Sequence, residues 1–219
     1  MKKILALFIL AVTCTAPAQL QTNVFSTSVN VLIPDANPTG YVSTRLVSGV
    51  GVAQYIQSIS VSLDITGGFN GDLYAYLAFG NSFVVLLNRA GKTASDPYGY
   101  DDAGFNITLS DSAAIDIHNY GGNGGLQLSG NWRPDGRAVD PQLVLDTDLR
   151  QATFSSFTNI NPNGTWTLFV ADMATGYQST LVDWSLTVVT VPEPPPARLF
   201  ALLAGIIAIG RWRLNARHK

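Results

Sequence analysis

Eight consecutive residues, Ser58-Ile59-Ser60-Val61-Ser62-Leu63-Asp64-Ile65, alternate polar and apolar without a break. A period of two places Ile59, Val61, Leu63 and Ile65 on one face of an extended strand, a segregation no helix achieves. The pattern returns at Leu73, Ala75 and Leu77 after Gly71-Asp72, and at Trp166, Leu168 and Val170 after Asn163-Gly164. It appears again at Val182, Trp184, Leu186 and Val188. Weaker runs at 29–33, 41–47, 82–87, 105–109 and 152–157 bring the expected strands to about nine. Between residues 19 and 190 every acidic residue is aspartate, and the chain's one glutamate is Glu193. Good helix formers are scarce there and turn formers abundant. The expected fold class is all-β, an antiparallel β-sandwich. Trp-rich strands raise the question of a propeller, but no repeat of that period is present.

The same stretch carries six Lys and Arg against fourteen Asp, a net charge of −8. That balance argues against nucleic acid as a partner, because such affinity depends on cationic contacts to phosphate. Cys14 is the only cysteine. A disulfide-free domain has to be held by its core.

Both ends read as addresses. Lys2 and Lys3, the apolar run 4–12 and Ala16-Pro17-Ala18 have the order of a secretory signal peptide (1–18), with cleavage expected after Ala18 and a mature chain beginning at Gln19. Cys14 lacks the flanking residues of a lipoprotein site. At the other end a Pro-rich spacer (190–198) contains Pro192-Glu193-Pro194, followed by an apolar segment (199–210) and a basic tail (211–219) with Arg211 and Arg213. Twelve residues of helix span roughly 18 Å against a hydrocarbon core of about 30 Å. The arginines at both ends of the segment can snorkel, and Trp212 suits an interface, so a short transmembrane helix with a cytoplasmic tail is expected. In order and position these parts resemble the PEP-CTERM sorting signal of Gram-negative bacteria that make extracellular polysaccharide. The resemblance implies an exosortase-type processing enzyme as partner, transient anchoring in the inner membrane, and delivery to the cell surface or a polysaccharide matrix.

Between the addresses, a lead-in (19–30) precedes one domain (31–189). Two irregular stretches, 90–104 and 118–140, are where a binding surface is expected. Trp132, Tyr98 and Tyr100 lie in them and can either stack on a sugar ring or pack over the sandwich edge. His118 is the domain's one histidine. No nucleophile segment accompanies it, so a hydrogen-bonded structural role is expected rather than that of a catalytic base.

A second resemblance rests on Ile33-Pro34-Asp35, Gly71-Asp72-Leu73, Arg133-Pro134-Asp135, and the closing run Gly164-Thr165-Trp166-Thr167-Leu168, Asp172, Leu181-Val182-Asp183-Trp184-Ser185-Leu186. Together these resemble the P domain (Homo B domain) of proprotein convertases and bacterial subtilisin-like proteases. The resemblance implies a jelly-roll-like, galactose-binding-like sandwich that in its family supports a protease domain, without catalysis of its own. It also implies structural calcium at Asp35, Asp72, Asp172 and Asp183, which turn chemistry alone would equally accommodate. Three roles follow as expectations: an exported structural or adhesive module, a carbohydrate-binding module using the Trp132 loop, or a detached folding partner of a subtilisin-like protease encoded elsewhere.

Overall fold

The computed structural model describes residues 19–192, and the alternating runs close into two sheets. The strands are β1 (Gln21–Leu32), β2 (Asn37–Val47), β3 (Gln54–Gly67), β4 (Leu73–Phe79), β5 (Ser82–Asn88), β6 (Gly104–Ser110), β7 (Leu128–Trp132), β8 (Gly164–Asp172) and β9 (Ser179–Pro192). One sheet has the order β1-β9-β3-β6-β7 and the other β2-β8-β4-β5, antiparallel except for the β6–β7 pair. Their facing sides bury Ile59, Val61, Leu63 and Ile65 of β3 against Leu73, Ala75 and Leu77 of β4 and Trp166, Leu168 and Val170 of β8. The protein is therefore an all-β sandwich. Trp166 stacks flat on Phe79 at 4.3 Å and donates its Nε1–H to the Pro162 carbonyl; Trp184 donates to Ser43 Oγ. Each indole thus buries its ring without stranding its one donor.

Four local expectations differ from the structure. The lead-in 19–30 is mostly strand, since β1 pairs with β9 from Gln21. The run 152–157 is not a strand but ends in a 3-10 turn, Phe154–Phe157, whose two phenylalanines are buried. β7 was not expected. In β9 a bulge separates the Asp64–Asp183 and Ile65–Leu181 pairs, so Leu181 joins Trp184 in the core and Val182 leaves that face. Pro192 closes β9, while Ala16, Ala18, Glu193, Pro194, Arg211, Arg213 and the apolar segment lie outside the described residues. Among the described residues no helix is long and apolar enough to cross a membrane.

The irregular stretches are anchored by buried charge. His118 has no exposed surface; its Nδ1 lies 2.7 Å from Asp135 Oδ2 and its Nε2 2.9 Å from the Lys92 carbonyl. Both ring nitrogens face oxygens that only accept, so the doubly protonated imidazolium satisfies both. Burial opposes that charge, but the Asp135 hydrogen bond and carboxylate together with the Lys92 carbonyl hold the His118 pKa above its usual value. Asp135 also meets Arg137, which pairs with Asp116 at 2.9 Å, and Asp116 caps the His118 amide. Arg150 ties in through the Pro134 and Asp135 carbonyls. Asp135 and Gly136 then donate their amides to Leu86 and Val85, covering the edge of β5.

Removing one partner of such a network leaves the other buried and unpaired, at roughly 3–5 kcal/mol. His118→Gln is expected to lower the melting temperature at pH 6 by many degrees. A histidine whose folded pKa is raised contributes stability that is complete below about pH 6.5 and is lost as pH climbs through the raised value. Calorimetry across pH 6–9 should therefore show a steeper decline in the wild type than in the variant.

Candidate functional site

One end of the sandwich gathers carboxylates. Asp35 follows β1, Asp72 ends the 3-10 turn before β4, and Asp172 ends β8, opposite both Asn37 and Leu73 in the β-ladder. Asp35 accepts from the Gly176 amide and Asp172 Oδ1 from the Ala174 amide. Asp172 is fully buried and its Oδ2 has no hydrogen-bond partner. Burial pushes its carboxyl up to about 6; the Ala174 amide and, more weakly, the nearby Ala36 amide oppose the rise, and Asp72 and Asp35 add to it. Burial likewise raises Asp72, against the pull of Arg89.

Arg89 supplies the countercharge. Its guanidinium lies 3.6 Å from Asp72 Oδ1, and its Nε donates to the Gly71 carbonyl at 2.8 Å. Among the described residues four other than glycine have positive φ. Two are asparagines, which tolerate that region; the other two, Ala36 and Arg89, both adjoin this cluster. Backbone strain of this kind concentrates where a structure holds groups in place for use.

Asp72 also lines an open cleft of about 380 Å³ with Phe69, Tyr98, Tyr100 and Asp101. Gly71 makes the cleft possible, because a Cβ there would collide with the Tyr98 carbonyl. Tyr98 is 75% exposed, while the Tyr100 ring covers Gly91 and leans on Tyr120 at 4.3 Å. Tyr120 in turn donates to Asp102, whose carboxylate also takes the amides of Asn123 and Gly125 and so shapes the glycine-rich loop. Aromatic walls beside carboxylates suit a cationic group.

The sequence-selected residues thus divide. Tyr98, Tyr100 and Asp72 come together in the cleft, with Asp35 and Asp172 beside it. Trp132 lies elsewhere: its ring packs edge-on against Tyr120 at 5.9 Å and its Nε1 donates to Ser129, as loop packing requires. Asp183 is exposed on the outer side of the five-stranded sheet, opposite Asp64 and Ser28. Among the described residues no group of three carboxylate, histidine or cysteine side chains could hold a metal ion. The four aspartates do not gather into one site, since Asp183 stands apart from Asp35, Asp72 and Asp172, and Arg89 already provides positive charge at Asp72. Phe69 and Asp101 were not selected from the sequence. The one signal for Phe69 is an aromatic within the turn Gly67-Gly68-Phe69-Asn70-Gly71.

No family model and no curated protein matches this chain. Solved structures do. The serine protease of Aeromonas sobria in complex with its chaperone (ORF2) is similar at 15% identity and a TM-score of 0.44, over 80% of this chain and 28% of that one. The serine protease of Aeromonas sobria alone gives 15% identity and a TM-score of 0.45, over 82% of this chain and 28% of that one. The chain thus spans less than a third of the length of these proteins.

A raised carboxylate contributes stability that is present at low pH and lost as pH rises through its folded value. Ionising Asp172 as pH climbs from 4 through about 6 is expected to remove on the order of 2–3 kcal/mol. Asp172→Asn should erase that increment, so the stability difference between variant and wild type grows in the variant's favour between pH 4 and 7. Urea melts at half-unit pH steps would show it, and a constant difference would contradict it. Millimolar calcium against chelator should leave the wild-type melting temperature within about a degree, since Asp183 stands apart from the other three aspartates and Arg89 already pairs with Asp72.

Proposed function

We propose that the chain is an exported, non-catalytic β-sandwich module that serves a structural, adhesive or binding role at the cell envelope or in its polysaccharide matrix. The observation that carries this reading is the use made of His118. The only histidine between residues 19 and 190 is buried with both ring nitrogens engaged, and the segments it anchors support an acidic, aromatic cleft at the surface. A general base needs a free nitrogen within reach of a substrate proton; His118 has neither. The five-plus-four strand arrangement supports a jelly-roll-like, galactose-binding-like sandwich within this reading.

The address comes from the ends of the sequence: the leader ending at Ala16-Pro17-Ala18, and Pro192-Glu193-Pro194 with the apolar and basic segments beyond it. In this reading an exosortase-type enzyme receives the tail in the inner membrane and releases the domain outward. Changing Pro192, Glu193 and Pro194 to alanine is expected to keep a tagged protein in the membrane fraction, while the wild type partitions to the surface or medium. Identical distributions would remove the sorting claim.

A second reading has its own support. The segments 164–172 and 181–186, which resemble the close of a P domain, form β8 and β9, each with a strand paired on either side, and bury Trp166, Leu168, Trp184 and Leu186. A detached folding partner of a subtilisin-like protease would keep that core. Co-expression with a subtilisin-like protease from the same genome should then raise the yield of active protease; no change in yield and no co-purification would leave the first reading standing.

A further inference from the structure

The two sheets present opposite surfaces to solvent. On the five-stranded sheet Ser58, Ser60 and Ser62 of β3 face outward beside Ser185 and Thr187 of β9, and Ser62 hydrogen-bonds Thr108 at 2.9 Å. Small hydroxyls are the ordinary covering of a solvated sheet. On the four-stranded sheet the same positions hold rings. Tyr76 of β4 and Phe169 of β8, paired in the ladder, stack at 4.9 Å with 18° between planes, and Tyr74 joins them edge-on to Phe169 at 6.2 Å. Val42, opposite Phe169, and Leu46 extend the apolar surface and are more than half exposed. A sheet face of this kind marks an interaction surface.

Two shallow clefts open on it, each about 360 Å³. The first runs between Tyr76 and Phe83 over the small side chain of Ala78. The second extends to Gln151 and Ser156. Asn81, Ser82 and Phe83 line both, so the two clefts adjoin at Phe83, 44% exposed, and are taken together as one trough. No charged residue lines either cleft, although the domain carries −8.

We propose that this trough binds an uncharged polysaccharide, with Phe83 the contact shared by two neighbouring sugar rings. A pyranose presents C–H bonds on one face, which suit the negative face of an aromatic ring, and hydroxyls at its rim. Those hydroxyls meet the amides of Asn81 and Gln151 and the hydroxyl of Ser82, each able to donate and accept. Each cleft falls within the size range of a small-molecule site, and their continuity suits a chain rather than a single ring. Charge selects the class. An anionic polymer is repelled by the aspartate-rich domain, and a cationic one is drawn to the carboxylates at the far end of β4. A peptide added as a strand finds the neighbouring edge closed, because Val85 and Leu86 already spend backbone hydrogen bonds on Ala152, Asp135 and Gly136 of the covering segment.

The proposal deepens the binding-module reading and is tested apart from the sorting tail. The full-length chain, in a polyoxyethylene detergent, is run in native gels containing dextran, barley mixed-linkage β-glucan, hydroxyethyl cellulose or alginate. At least one neutral polymer should retard the wild type, alginate should not, and Phe83→Ala should weaken retardation at least tenfold at an unchanged melting temperature. Phe83→Tyr, which keeps the ring, should restore it. Should Phe83→Ala fold poorly, Gln151→Ala on the trough rim is expected to weaken retardation severalfold. Absence of retardation by every neutral polymer would overturn the proposal. So would equal retardation by alginate, or retardation indifferent to both trough substitutions. Each result is read on purified protein, so a failed fractionation test leaves it unaffected.

Discussion

The imidazolium–carboxylate pair of His118 and Asp135 is the contact on which the irregular half of the molecule depends. Two charged groups without exposed surface tolerate each other only while every remaining donor and acceptor is met. Nε2 is met by the Lys92 carbonyl, Asp135 Oδ1 by Arg137, and Arg137 by Asp116, whose other oxygen returns to the His118 amide. The circuit ties together segments far apart in sequence, whose β-pairing with one another is limited to the isolated bridges Asp116–Arg133 and Arg137–Arg150. It thereby does for loops 90–104 and 112–153 what a disulfide does in small secreted domains, in a region that has no cysteine.

That anchoring has a structural return at β5. An edge strand with open amides and carbonyls invites pairing with another chain. Here the segment after Asp135 lies along it, with Gly136 donating to Val85 and Asn88 donating to the Arg137 and Val139 carbonyls. The cover leaves the outer face of the sheet open while closing its edge, so the aromatic surface is available without a strand-addition hazard beside it.

Legibility in the sequence tracked how a residue earns its place. β3, β4 and β8 were readable because their inward positions are unbroken runs of apolar residues. Of β1 only the end was, in the run 29–33, because earlier in the strand Asn23 and Thr27 flank Phe25 in the core-facing register and that face is only half-buried. β7 offers Leu128 and then Gly130 to a parallel pairing, too few apolar positions to show a period. Phe154 and Phe157 looked like strand residues, but a spacing of three places them on one side of a 3-10 turn. The cleft was legible in part, through Tyr98, Tyr100 and Asp72. The ion network was not: Asp135 stood out only as part of Arg133-Pro134-Asp135, and Lys92, Asp116 and Arg150 lie far from it in sequence without a local pattern. Asp183 shows the converse failure: motif spacing groups it with Asp172, yet the β9 bulge and the strand's place in the other sheet separate the two.

Charge is distributed so that the two surfaces answer to different conditions. At the acidic end Asp172 is buried with one oxygen unpartnered, Arg89 balances Asp72 from a left-handed backbone, and Ala36 shares that strain. Its electrostatics therefore shift with proton uptake near pH 6. The trough around Phe83 contains nothing that titrates in that range and depends on ring area and amide geometry. One sandwich can thus hold a neutral ligand on its sheet face while the carboxylates at its end respond to pH, and β4 between them belongs to both surfaces, with Asp72 just before its start and Ala78 near its finish.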